Sequence, residues 1–441
     1  MTFEKLARKI LDRITSAGMT GECFLEEWNR SVITGKGGEI RENRTAQGQG
    51  LGIRIAQGQR AAGMSATRFD VDAITRSVDR IIRLVPQLPE DPFLRFAEPA
   101  RLPDAGPFHD PGFRFPLPES ASRDLLNSLD AINGTIESPA EVALQESCEQ
   151  TDTAILNTLG LDVATRSTSF TRTIAITLES GGERIQVEDE RETAFPDDLP
   201  AFGKILQDLL PMLDQTIGGS LVPTGVYATV FHPAAGRTFL RSVLDCLSGW
   251  LVNRRRTWAM DRLNTPIASE GVTIVDDPHA PRSSRSRIVD GEGVPTATKP
   301  IISQGVLRGF FDTLGTAAES GRAPGNAVRG YDGSPRTGWT RITMSPGMDS
   351  PDAIIRDTGE GLYIHRLIGF GLDESSGQYS IGAMGRRITG GVLGDAVAGI
   401  TIAGNLADLL QDIDRIGNDL PAGYSLLCPT FRISRVSVGG S

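Results

Sequence analysis

The run "GLYIHRLIGFGLDESSGQYSIGAMGRRITGG", from Gly361 to Gly391, places a glycine every few residues among small polar side chains. Glycine at that density weakens a helix interior and marks points where the backbone turns sharply or approaches another group closely. The stretch therefore reads either as strands joined by tight turns or as a cradle for a phosphate. The spacing rejects the cradle: the chain has no GxxxxGK[ST], and "GFGLDES" does not continue as a GxGxxG that opens a helix. Turns and close backbone packing remain.

The same texture holds from about Val222 onward. Strand-like pieces such as "GVYATVF", "GVTIVDD", "GVLRGFFDTL" and "GITIAGNL" sit between glycine-rich turns. Two helices are expected in this half. One covers "AGRTFLRSVLDCLSGWLV", and the other follows "TIAGN", where Leu406, Leu409, Leu410, Ile413 and Ile416 keep helical spacing.

The first half is built differently. Phe3, Leu6, Ala7, Ile10, Leu11 and Ile14 predict an amphipathic helix stopped near Gly18. "GLGIRIAQGQRAAGMSA" alternates at Leu51, Ile53 and Ile55, breaks at a glycine and returns, as a hairpin does. Asp70 then caps a helix striped by Val71, Ile74, Val78, Ile81, Ile82 and Val85. Prolines recur too often between Pro86 and Glu119 for helix or central strand, which predicts an ordered, extended connector. A second helix follows at Leu125, Leu126, Leu129 and Ile132. A strand is expected over "TRTIAITLES", and a helix over "AFGKILQDLLPMLDQ" that Pro211 interrupts or kinks. No repeat of fixed period is visible.

The fold class expected is α+β, an N-terminal α/β region with helices and antiparallel strands followed by a β-rich C-terminal domain. The segments expected are an α+β subdomain over 1–85, the connector over 86–119, a central α+β subdomain over 120–220 and the β-rich domain over 221–441.

The 441 residues carry a formal net charge of −10, which argues against a nucleic-acid groove, since phosphate binding needs clustered Lys and Arg. No stretch approaches the roughly 20 apolar residues of a membrane span, and the N-terminus lacks a secretory apolar core. Cys23, Cys148, Cys246 and Cys428 are far apart and read as reduced thiols. A cytoplasmic protein is expected.

Catalytic motifs are absent. The four histidines, His109, His232, His279 and His365, lie in separate segments, with no HExxH and no GxSxG serine elbow. Cys246 reads as a buried helix cysteine, and Asp276–Asp277 and Glu188–Asp189–Glu190 as solvated turns and edges. His365 stands out because it sits beside apolar Ile364 and Leu367 in an expected strand. From chemistry alone no residue is assigned a catalytic role.

Several stretches taken together are similar to the TldD/PmbA family, whose members are often called modulators of DNA gyrase. The strongest are "TGEGLYIHRLIGFGLDESSGQYSIGAMGRRITGG", "GITIAGNLADLLQDIDRIGND" and "GEGVPTATKPIISQGVLRGFFDTLGTAAESGRAPGNAVRG". "GQGLGIRIAQGQRAAGMSATRFDVDAITRSVDRII" and "PEDPF" resemble the family's N-terminal domain. The resemblance implies that the glycines belong to a β-rich domain enclosing a peptide-accommodating cavity.

The family's TldD-like branch carries an HExxxH helix that, with a later cysteine, holds a catalytic metal. "TFLRSVLDCLSG" corresponds to that helix, with Arg241 and Cys246 in place of the two histidines and Ser242 in place of the glutamate. Cys428 matches the terminal strand region rather than the ligand position. The departure resembles the PmbA branch, also called TldE, and implies a subunit that binds no metal itself. Its implied partner is a TldD-like, HExxxH-bearing subunit holding a divalent metal, zinc. Such heterodimers are associated with cleaving unfolded peptides, maturing microcin-type peptides and degrading an antitoxin. The implied ligand is an extended peptide, with no nucleic acid and no membrane. Arg241, Ser242, Cys246 and His365 are the substrate-cavity candidates. Two other functions stay open: a subunit of a dedicated amide hydrolase tailoring a biosynthetic intermediate, and a non-catalytic modulator that binds proteins.

Overall fold

A computed structural model describes residues 3–136, 140–180, 183–214 and 218–441 of the chain. The amphipathic start forms α1 (Phe3–Ser16), and alternating residues form β1 (Thr20–Lys36), β2 (Glu39–Gln57) and β3 (Arg60–Ala66) before α2 (Val71–Leu84). Gly37 and Gly38 both have positive φ, 63° and 78°, the conformation that a tight β1–β2 reversal needs and that glycine adopts without strain. Asp70 caps α2 as expected, its Oδ1 accepting from Ala73 N at 2.9 Å.

The connector is ordered and extended up to α3 (Glu119–Asn133), after which β4 (Ala140–Asn157), β5 (Asp162–Ser180), β6 (Glu183–Thr193) and α4 (Phe202–Asp214) repeat the first unit's element order. Pro211 lies inside α4 without ending it. Residue 215, the last of the expected helix, is outside the described residues. All six strands join one antiparallel sheet in the order β3-β2-β1-β4-β5-β6, so the two units meet at β1 and β4. The sequence shows no fixed period for this duplication of element order.

Period-2 alternation gives the sheet two buried faces. On one face Cys23, Leu25 and Ile53 pack under α1 and α2, and Leu144, Ile174 and Val187 pack under α3 and α4. On the other, Phe24, Ile155, Leu161 and Val163 meet Val289 of the C-terminal half.

The C-terminal half is β-rich as expected. Five strands, β7 (Gly225–Phe231), Gly361–Ile368, Gln378–Thr389, Val392–Asn405 and Phe431–Gly439, pair in a closed ring. A second, five-stranded sheet is built from Val306–Leu307, Lys299–Ser303, Ile274–Asp276, Ile342–Met344 and Leu426–Leu427. α5 (Pro233–Asp245) follows β7 and packs its Phe239, Leu240, Val243 and Leu244 into the ring's core. There Phe231 stacks on Phe431 at 5.0 Å, and the Phe239 ring lies 5.8 Å from Phe231, Phe431 and Tyr379.

Two expected helices are shorter than their periodicity predicts. "AGRTFLRSVLDCLSGWLV" breaks after Asp245 and resumes only at Gly249–Asn253, because Leu247 and Gly249 exchange main-chain hydrogen bonds with Phe311. The helix after "TIAGN" ends at Gln411, and Ile413–Ile416 is a strand paired with Phe431–Gly439. In both places a tertiary main-chain partner overrides local spacing.

Candidate functional site

Edge strand β6, the α5 surface and the barrel strand Gly361–Ile368 enclose a cleft of about 440 Å³ between the two halves. Each wall follows from a local rule. Ala234, Arg237, Thr238 and Arg241 recur at helical spacing, so one face of α5 points into the cleft while the Phe239–Leu244 face is buried. Glu188, Glu190 and Glu192 alternate along β6, which turns three carboxylates to the same side. Three acidic groups therefore face the guanidinium-bearing Arg237, Arg241 and Arg285 across the opening. Partial burial, then the neighbouring Glu192 and Glu188, push the Glu190 carboxyl above its usual range.

His365 reaches the cleft through a β-bulge. Ile364 pairs with Gly385 and Arg366 with Met384, so His365 is the extra residue with no cross-strand partner. The bulge reconciles the spacing of Ile364 and Leu367, which both face the core although a regular strand would separate them. His365 is 2% exposed, and neither ring nitrogen has a hydrogen-bond partner among the described residues. Burial, and then the charge of Arg366, pull its pKa down to about 4. The imidazole is thus neutral at pH 7, lines the cleft, and keeps both a donor and an acceptor uncommitted.

The floor is stiffened where the C-terminal half clasps β6. The Tyr424 hydroxyl donates to Asp189 Oδ1 at 2.6 Å, and its ring lies 3.6 Å from the Arg237 guanidinium and 4.3 Å from that of Arg191. Arg191 donates to Asp189 Oδ2 at 2.7 Å and Asp208 Oδ2 at 3.0 Å. Glu192 N donates to Gly423 O at 2.9 Å, and Arg366 Nη1 donates to Gln186 O. Those two contacts show that even-numbered β6 residues direct their main-chain groups outward from the sheet. Alternation gives Glu188 and Glu190 the same direction, and no hydrogen bond to those outward groups is found among the described residues.

Of the residues singled out from sequence, Arg241 and His365 line this one cleft. Ser242 does not; its Oγ donates to Thr238 O within α5 at 3.2 Å. Cys246 is fully buried in the apolar core at the end of α5, and burial pushes its thiol up to about 12, so it is a packed, protonated side chain. Glu188 and Glu190, which read as solvated edge residues, are cleft walls, and Asp189 between them is the anchor of Tyr424. Their alternation with Glu192 was the available signal. Arg285, Trp339 and Tyr424 come from loops with no sequence pattern that marks them.

This donor set does not suit a metal ion. Arg241 brings a cation to the cleft, Cys246 faces away from it, and among the described residues no three His, Cys, Asp or Glu side chains are grouped to hold a metal. No helix of the described residues is long and apolar enough to cross a membrane.

The unpartnered imidazole makes a stability prediction. His365→Leu removes two buried, unsatisfied nitrogens at similar volume and is expected to stabilise the fold by about 1–2 kcal/mol near pH 7. The unfolded chain takes up this proton near pH 6.5 but the folded chain only near pH 4. Wild-type stability is therefore lost as pH falls through that window, with a limiting slope of about 1.4 kcal/mol per pH unit for one proton. Urea midpoints measured between pH 4 and 7 should fall less steeply for His365→Leu than for wild type. Glu292, raised to about 7 by burial, acts in the opposite direction, so the difference between the two proteins is the informative quantity.

Residues 224–440 match the PmbA/TldA metallopeptidase C-terminal domain. Over 98% of this chain and 97% of the relative, the protein is 25% identical to "Metalloprotease PmbA" of Escherichia coli O157:H7. A "Metalloprotease PmbA homolog" of Buchnera aphidicola is 26% identical over 64% of this chain and 62% of its own length. Two crystal structures share the fold across 99% of this chain. A Bacteroides thetaiotaomicron protein described as a modulator of DNA gyrase aligns over 99% of its length, with TM-score 0.89 and 22% identity. TldE of Thermococcus kodakarensis aligns over 100% of its length, with TM-score 0.85 and 19% identity. The chain therefore carries a C-terminal domain of the TldD/PmbA family and is alignable to a PmbA protein along nearly its whole length.

Proposed function

We propose that this protein is the TldE-like, metal-free subunit of a cytoplasmic TldD/TldE-type peptidase, enclosing an unfolded or modified peptide while a TldD-like, HExxxH-bearing subunit supplies the metal, zinc, and the hydrolytic step. The observation that supports the reading is α5, which borders the cleft and presents a cation, Arg241, the residue that the resemblance sets against a histidine of the HExxxH helix. A fixed positive charge repels a metal ion and also serves as a hydrogen-bond donor to peptide carbonyls or acidic side chains.

The cleft suits an extended chain. The outward main-chain groups of Glu188 and Glu190 offer strand-addition hydrogen bonds, which read backbone rather than side-chain sequence. The names of the relatives, metalloprotease PmbA and its homologues, support a peptidase role for the assembly.

The reading predicts a stable complex with an HExxxH-bearing relative from the same genome. Co-expression with one partner tagged, followed by size-exclusion chromatography with light scattering, should recover both chains in equal amounts. A monodisperse homodimer that leaves the tagged relative unbound would count against it.

A further inference from the structure

A second recess of about 520 Å³ adjoins the cleft at Trp339. Trp339 and Arg285 line both spaces, and the guanidinium carbons of Arg285 and Arg241 lie 5.2 and 5.5 Å from the Trp339 ring. The floor of the recess is the sheet face, with Phe24, Ile155 and Val163, and its roof is the 284–291 segment.

The roof carries uncommitted donors. Arg287 Nε and Nη2 are buried and have no hydrogen-bond partner among the described residues. The carboxylates whose charge reaches Arg287 are already engaged. Asp290 accepts from the main-chain N–H groups of Glu292, Val294 and Ala327 at 2.8, 3.0 and 2.9 Å. Asp276 accepts from Thr340 N at 2.9 Å and from Asn326 Nδ2 at 3.0 Å. Ser284 Oγ, on the same roof, is also buried without a partner, and so is Nε of Arg329, a side chain only 5% exposed.

A guanidinium edge buried with no acceptor is costly, and the cost is relieved when an anion arrives. The planar fork of an arginine fits a carboxylate through two parallel hydrogen bonds. The apolar floor fits the side chain next to that carboxylate. We propose that this recess is a carboxylate pocket that takes the C-terminal end of a peptide whose preceding residues lie along β6. The assignment rests on the peptide-chamber reading, because the shared wall at Trp339 and Arg285 is what lets one chain occupy both spaces. It gives the bound peptide a direction, with its C-terminus under Arg287.

Isothermal titration with N-acetyl-Ala-Leu as the free acid and as the C-terminal amide tests this without any hydrolysis. The acid should bind about tenfold tighter than the amide, as expected for a gained charge-assisted bidentate contact. In Arg287→Gln that ratio should fall to about one, whereas Arg287→Lys should retain part of it. Thr165→Phe, which narrows the recess from the sheet side, should also abolish the ratio if the glutamine variant does not fold. Equal binding of acid and amide by wild type, or an acid preference that survives in Arg287→Gln, overturns the carboxylate pocket alone. Failure of both dipeptides to bind overturns the peptide chamber with it. Acetate or inorganic phosphate competing as well as the dipeptide acid would assign the recess to a free anion and overturn the peptide end.

Discussion

Glu22→Ala is expected to lower stability by about 3–5 kcal/mol, the range for removing one partner of a buried charge pair. Glu22 belongs to β1 and is 1% exposed. Its Oε1 accepts from Arg329 Nη2 at 2.7 Å and lies 3.5 Å from Arg54 Nη2. Arg54 Nη1 is in turn 3.8 Å from Oε1 of Glu292, whose Oε2 accepts from Leu314 N at 2.7 Å. This chain of charged and polar groups ties the N-terminal sheet to the C-terminal half, alongside the cluster that holds Phe24 and Val289 at the recess. Alanine leaves Arg329, stacked 4.6 Å from the Phe24 ring, buried without its counter-ion. Urea denaturation followed by circular dichroism should show the lowered midpoint. The double variant Glu22→Ala/Arg329→Met should recover most of the loss, since neither charge then remains buried alone. Glu4→Ala, which breaks only the exposed pair with Arg8, should leave the midpoint unchanged.

The second large effect is at Gly385. Any Cβ there would lie 1.9 Å from Tyr363 O and 2.9 Å from Ile364 Cα, inside the strand pairing that creates the His365 bulge. Both atoms are backbone, so a rotamer change cannot relieve the clash. Gly385→Ala is expected to cost roughly 3 kcal/mol, the upper part of the usual overpacking range. Gly203→Ala is the contrasting case. Gly203 lies in α4 with nothing near the added methyl, and the change should be neutral or stabilising by up to about 1 kcal/mol. Paired thermal melts separate close approach from a generic glycine effect. A Gly385→Ala protein as stable as wild type would refute the packing account of the glycine-rich run.

That run was legible as turns and close packing because the glycine spacing fits no phosphate-cradle motif. Likewise α1, α2, the β2–β3 hairpin and the extended connector follow from apolar spacing, an aspartate cap and proline chemistry, all of which act locally. What failed was the extent of two C-terminal helices, where main-chain pairing with Phe311 and with Phe431–Gly439 decides the conformation. The duplicated sheet was equally invisible, since strand order is set by contacts far apart in sequence.

At the cleft, resemblance pointed to α5 and residue chemistry to His365, but the four residues named together do not act together. Helical geometry carries Arg241 and residue 246 about 140° apart, which puts one in the opening and the other in the core. The bulge at His365 and the unpartnered donors of Arg287 depend on three-dimensional neighbours that no spacing rule encodes. Glu188, Glu190 and Glu192 were readable in principle, because strand alternation alone places them on one face.

The most direct test of the central claim is metal content and peptide hydrolysis measured side by side. The samples are this chain alone, an HExxxH-bearing relative from the same genome alone, and the two co-purified. The account predicts no bound metal and no hydrolysis for this chain by itself, with one metal per pair and cleavage of an unfolded peptide in the complex. Hydrolysis by the isolated chain, or a stoichiometric metal bound to it, would contradict the account.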